Sequence, residues 1–157
     1  MAILFKQEKN VKINIKLKEG YMLDLEKGRD DFENYIPFKL SLKTPLKKVT
    51  INNEVPTFTL YELKNLIAQC RLIIESKRDE DKYVYFNSEA FFNFQIEYLE
   101  EDDLVEFEFW INVAYIRNKK AFGFDDGVRF CSEPNQVVMF LDALEDEMNN
   151  ILIKYNL

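Results

Sequence analysis

The chain has no histidine. That absence excludes Ser-His-Asp and Cys-His nucleophile pairs and every histidine-based zinc site. There are two cysteines, Cys70 and Cys131, too few for an all-cysteine zinc site. They fit a reducing cytoplasm as two buried thiols, with a disulfide as the alternative. The four glycines, Gly20, Gly28, Gly123 and Gly127, lie scattered in turn contexts and form no phosphate-binding loop. No run approaches the ~18 apolar residues of a membrane span. The opening MAILF is too short for a signal segment and is followed at once by charge, so a cytoplasmic protein is expected. No cofactor or metal site is expected from these residues.

Apolar residues make up 47% of the 157 and aromatics 15%, enough to fill a core, so a single domain over residues 1–157 is expected. The formal net charge is −7 and it is unevenly distributed. Residues 1–58 carry eleven basic against eight acidic side chains; residues 59–157 carry ten against twenty. An acidic chain repels phosphate backbones, which disfavours nucleic acid, and is steered toward basic partners.

The clearest element is a helix over Thr59–Lys77. Thr59 and Glu62 have capping-box spacing. Leu63, Leu66, Ile67, Cys70 and Ile74 form one apolar stripe. Ahead of it, Val11, Ile13, Ile15 and Leu17 alternate with Lys12, Asn14, Lys16 and Lys18, the pattern of a half-buried strand. Ile36–Leu42 alternates likewise, with Pro37 marking an edge or a strand's beginning. Leu46–Ile51 reads as a short strand, followed by a turn at Asn52-Asn53. The lysines Lys12, Lys16, Lys18, Lys39, Lys43, Lys47 and Lys48 fall on outward positions or turns. Guarding against edge pairing explains such lysines; a contact surface for an acidic partner is the other reading.

Beyond the helix, Lys77–Lys82 reads as a solvated loop. Phe92–Tyr98 and Leu104–Ile116 alternate apolar and polar residues around a turn at Glu100–Asp103, which predicts a long hairpin. Ala121–Cys131 adds a strand pair or a bulged strand. A second helix starts near Pro134 with Ser132 or Glu133 at its cap. Its stripe is Val137, Leu141, Leu144, Met148, Ile151 and Tyr155. The order is strands, helix, strands, helix. It predicts the α+β class: an antiparallel β-sheet with two amphipathic helices packed on one face.

Paired acids at Asp30-Asp31, Asp102-Asp103 and Asp125-Asp126 fall at turns, where Asp is favoured for local hydrogen bonding. The stretch Glu97–Glu108 holds seven acids and no base. Hairpin pairing would put Glu97, Glu106 and Glu108 on one open face with Trp110, Asn93 and Gln95, and Asp102 and Asp103 at the tip. A lone tryptophan ringed by charge suits an interface anchor for a basic protein partner. The bland alternatives are a solvated sheet face and a tryptophan that covers a sheet edge or loop.

The layout resembles the WapI-type immunity proteins of bacterial polymorphic toxin systems. Asp31, Asn34, Tyr35 and Ile36 lie close to an Asp-x-Asn-Trp-Leu stretch that opens an early strand, with an insertion after Asp31 and with Tyr and Ile replacing Trp and Leu. Thr59, Glu62 and Leu63 match a Thr-x-x-Glu-Leu helix start. Glu89 matches a Glu-Pro pair before a Phe-rich strand, with Ala90 where proline is usual. Val128–Cys131 and Gln136–Tyr155 match the closing strand and helix. The resemblance implies a non-enzymatic cytoplasmic inhibitor that binds a cognate toxin domain and blocks its active site or substrate groove. It supplies no site residues, and it leaves the oligomeric state open. The competing readings are a scaffold or homo-oligomeric subunit, and an enzyme working through carboxylates and tyrosine.

Overall fold

The computed structural model describes residues 1–6, 10–51, 55–76, 82–114 and 125–157. Five strands come first: β1 (Ala2–Lys6), β2 (Val11–Leu17), β3 (Tyr35–Lys43), β4 (Lys48–Thr50) and β5 (Thr57–Thr59). Helix α1 (Leu60–Ser76) follows, then β6 (Lys82–Phe86), β7 (Phe92–Leu99), β8 (Leu104–Asn112), β9 (Asp125–Ser132) and helix α2 (Pro134–Lys154). The class is α+β with strands dominant. The strands divide into two antiparallel sheets instead of the one expected. The first runs β1-β2-β3-β4, with β5 also on β3; the second runs β6-β7-β8-β9.

The division has a packing reason. Every long strand is apolar on one side only: β2 buries Val11, Ile13, Ile15 and Leu17, and β7 buries Phe92, Phe94, Ile96 and Tyr98. Two such sheets and two one-sided helices close around one core. Helix α1 packs on β5, β6 and β7, and α2 packs on β1, β2, β8 and α1. Ile13 and Ile15 of the first sheet meet Phe94 and Phe109 of the second, with Cys70 of α1 and Leu141 of α2 alongside. The gap left among them is about 10 Å³, the lower limit for one water, and its wholly apolar walls keep it dry.

The helix stripes are buried as their spacing predicts, and α1 adds Ile73. Tyr155 lies past the end of α2 and is exposed. The cap of α2 is Glu133, whose side chain makes no capping bond; the Ser132 hydroxyl instead donates to Gln136 Oε1 at 2.8 Å. Pro37 is not on an edge, since β5 pairs with β3 there. It sits where β2 ends. Its carbonyl accepts the Lys18 N–H at 2.7 Å, and the reciprocal bond that proline cannot donate is the one just past the strand. Short β1, β5 and β6 are strands that carry little local signal, and Tyr21–Leu25 contributes only a bridge from Asp24 to Tyr35. The turn at Asn52-Asn53, the loop from Lys77 to Asp81, the continuation of β8 through Tyr115 and Ile116, and residues 121–124 lie outside the described residues.

The capping box at α1 forms as its spacing predicts. The Thr59 N–H donates to Glu62 Oε2 at 2.9 Å, and the Glu62 N–H donates to Thr59 Oγ1 at 3.0 Å. The same carboxylate accepts the Ser88 N–H at 2.8 Å and the Ser88 hydroxyl at 3.1 Å. Glu62 thus joins the start of α1 to the β6–β7 turn. Beside it, buried Asn87 donates to the Thr57 carbonyl at 3.3 Å and accepts the Phe91 N–H at 3.4 Å.

Two outcomes test this packing. Thr59→Ala should cost about 1 kcal/mol in denaturant unfolding, the usual worth of a cap. Glu62→Ala should cost about 1 kcal/mol more than Thr59→Ala, the net worth of a hydrogen bond, because it also strips the acceptor from Ser88; equal costs would mean the link to the turn contributes nothing. Burial pushes Tyr83 up to about 12 and raises Tyr85 and Cys70 well above their ordinary values. Raised groups stay protonated in the folded chain after their unfolded counterparts ionise. Their stability is therefore full only below pH 9, where the unfolded thiol is half ionised, and is lost as pH rises toward the folded values. Unfolding midpoints should fall steadily from pH 9 upward, and less so in Cys70→Ala with Tyr85→Phe.

Candidate functional site

The outward face of the second sheet brings together six of the eight expected partner-binding residues. Three rows cross its strands. Phe86, Asn93, Trp110 and Gly127 form the first; Val84, Gln95, Glu108 and Arg129 the second; Lys82, Glu97, Glu106 and Cys131 the third. At ~4.8 Å per strand a row spans about 14 Å. The hairpin pairing is the one expected, with Gln95 opposite Glu108 and Glu97 opposite Glu106.

Asp102 and Asp103 do not join this face. They sit at the hairpin tip beyond Leu104, the first residue of β8, which is itself about 20 Å from Trp110 at ~3.4 Å per residue. Asp103 is occupied there: it takes a positive φ of 49° and accepts the Tyr98 hydroxyl. Its role is to close the turn. Asp102 is exposed.

The rows also show what the residue list around Glu97–Glu108 did not. Arg129 reaches across from β9 to Glu106 at 2.6 Å and to Glu108 at 3.2 Å. The Glu106 hydrogen bond pushes the guanidinium even further above its already high value. The face is therefore internally paired and less acidic than expected. Strand β6 adds Lys82, exposed Val84 and Phe86, the last 70% exposed. Its signal was the short alternation Lys-Tyr-Val-Tyr-Phe, with Tyr83 and Tyr85 turned toward the core.

Trp110 does not project from the sheet. A Cβ at Gly127 would lie 2.3 Å from Trp110 Cε3 and 2.5 Å from the Phe109 carbonyl oxygen. The indole fills the space a side chain at Gly127 would take, and 36% of the residue is exposed. Its Nε1 is 3.5 Å from Glu108 Oε2, a long contact. Trp110 is thus both cover for the β8–β9 ladder and the flat aromatic centre of the face.

In two concave openings among the described residues the carboxylates are committed elsewhere. One opening of about 450 Å³ lies between β2 and α2; there Glu147 accepts the Leu17 N–H at 2.9 Å and Glu19 pairs with Lys154. Another of about 300 Å³ holds Asp24, which pairs with Arg29 at 2.8 Å, and Glu89, which accepts the Thr57 N–H at 2.5 Å. Both cysteines are free thiols, Cys70 buried and Cys131 half-buried on the open face. Among the described residues no cluster of three His, Cys, Asp or Glu is placed to hold a metal.

Gly127→Ala should cost about 1–3 kcal/mol, as overpacking does, and shift the emission of Trp110, the sole tryptophan. Denaturant unfolding followed by fluorescence reads both. In a Trp110→Ala background the penalty should shrink yet persist, because the Phe109 carbonyl contact remains.

Comparison with curated proteins gives no match. Among solved structures, the chain is similar to one described as the structure of the plant transcriptional regulator PBF-2. The identity is 10% and the TM-score 0.48, over 93% of this chain and 79% of that one. A family model described as the immunity protein WapI-like family matches residues 3–152. With nearly its whole length matched, the chain belongs to the WapI-like immunity protein family.

Proposed function

We propose that the protein is a cytoplasmic immunity protein that binds and neutralises a cognate toxin domain without catalysing a reaction itself. The family match over residues 3–152 is the observation that carries this reading. A non-enzymatic role also accords with the commitment of the carboxylates in both openings to backbone groups and ion pairs. No helix among the described residues is long and apolar enough to cross a membrane.

The proposed contact surface is the outward face of the second sheet. Trp110 and Phe86 offer apolar area in one row, with Asn93 between them and Gln95 in the next. Glu97, Glu106 and Glu108 supply carboxylates alongside, and Asp102 and Asp103 extend the acidic character to the tip. A basic toxin domain fits this composition: charge raises the association rate, and desolvated aromatics slow dissociation. Arg129 holds Glu106 and Glu108 until a basic group on the partner competes for them. An edge position for β6, with Val84 and Phe86 exposed, favours a second reading in which two copies pair along that strand. Light scattering that shows a concentration-independent monomer rejects it.

The test of the first reading is affinity for the toxin domain encoded beside this gene. Trp110→Ala should weaken binding by about 2 kcal/mol, as a central aromatic does. Glu106→Lys should lower the association rate and flatten its salt dependence. Unchanged affinity and salt dependence in both variants would reject the face. A neighbouring gene with no toxin domain would reject the function.

A further inference from the structure

The outward face of the first sheet is of a different kind. Lys12 pairs in register with Lys43, Lys43 with Lys48, and Lys16 with Lys39. Cross-strand neighbours of this type have Cβ atoms about 4.5–5.5 Å apart, and like charges there repel. Lys16, Lys39, Lys43 and Lys48 are exposed and Lys12 is half-buried. Among the described residues none of the five forms an ion pair, although the chain carries 28 acids. Between the two lysine groups lie Asn14, Ser41 and Thr50, short polar side chains in one row.

Protection against edge pairing does not account for Lys12 and Lys43. Lys12 is paired with Phe5 and Lys43, and Lys43 with Lys12 and Lys48, so neither lies on an edge. Nor is one-signed charge a general habit of this chain, since the second sheet pairs Glu106 and Glu108 with Arg129. A row of opposed lysines keeps its repulsion in the free protein and loses it when carboxylates interleave.

We infer that the lysine face of the first sheet, Lys12, Lys16, Lys39, Lys43 and Lys48, is a docking surface for an acidic protein segment. The inference is independent of the immunity reading and concerns the opposite charge on a different sheet. Charge complementarity selects an anionic occupant. Polypeptide carboxylates are favoured over a phosphate backbone on two grounds. The face has no arginine for bidentate phosphate contacts. Its aromatics, Phe5 opposite Lys12 and Tyr35 eight residues before Lys43 on β3, stand at opposite ends of the face and make no continuous stacking platform for successive bases.

The experiment uses the full chain with poly-L-glutamate as probe and single-stranded oligothymidylate of equal charge as competitor, read by fluorescence anisotropy at low and high salt. Poly-L-glutamate should bind the wild type, and Lys12→Glu with Lys39→Glu should weaken it about tenfold. Lys27→Glu with Lys154→Glu, an equal change of charge elsewhere, should leave it near the wild-type value. Lys43→Glu places a carboxylate between Lys12 and Lys48, so its Tm should equal or exceed the wild type while binding falls. That separates a lost contact from a lost fold. Absent binding, equal loss in the control variant, or undiminished binding in Lys43→Glu overturns the proposal. Tighter binding of oligothymidylate through the same lysines also overturns it, in favour of nucleic acid.

Discussion

The carboxylate of Glu62 is where the two halves of the chain are held together. It closes the capping box with Thr59, which ends the first group of strands and starts α1. It also accepts from both the backbone and the hydroxyl of Ser88, which sets the turn between β6 and β7. Asn87 and Thr57 bond in parallel a few residues away. A half-buried acceptor shared by several donors is costly to remove, since the Thr59 and Ser88 donors lose their common partner together. The position of β6 relative to the first sheet therefore follows from a helix cap. With β6 come Val84 and Phe86, and the row that ends at Trp110.

The residues that carry the family likeness have the same character. Asn34 is buried, accepts the Glu26 N–H at 2.8 Å and donates to the Arg29 and Asp30 carbonyls, which shapes the loop before β3. Asp31 pairs with Lys64 on α1 at 2.7 Å, and its carbonyl accepts the Tyr61 N–H. Glu89 accepts from Thr57. Ala90 has a φ of 58°, which a proline ring locked near −65° cannot reach. These positions build the scaffold and its turns. The sheet faces, where partners would be selected, are set by strand register and carry no motif.

That division explains what could be read from the residues and what could not. The capping box, both helix stripes and the long hairpin were legible because each is local: the spacing of Thr59 and Glu62, the three- and four-residue steps, the alternation across Glu100–Asp103. The hairpin register followed from its turn, so the grouping of Glu97, Glu106, Glu108, Asn93, Gln95 and Trp110 was legible as well. The split into two sheets was not. It rests on β1, β5 and β6, which span three to five residues and are strands only because of distant partners. Arg129 escaped for the same reason: it meets Glu106 through the β8–β9 pairing, 23 residues away. Gly127 read as a turn glycine, yet its function is to leave room for an indole from the next strand.

The uneven charge along the chain takes on a spatial meaning in this fold. The basic excess of residues 1–58 gathers on the outward face of the first sheet, because alternation in β2 and β3 sends every second residue outward and Lys12, Lys16, Lys39 and Lys43 are among those residues. The acidic residues of the second half spread over the second sheet, its hairpin tip and the outer side of α2, and several are already paired. The folded protein therefore presents two sheet surfaces of different charge. A molecule charged in this way orients an approaching partner before contact, since a basic surface is drawn toward one sheet and repelled by the other. The two proposed surfaces do not compete for the same partner chemistry, and an aromatic centre belongs to the second sheet alone. Affinity that depends on desolvating apolar area should thus concentrate around Trp110 and Phe86, whereas contacts at the lysine face should weaken steeply with salt.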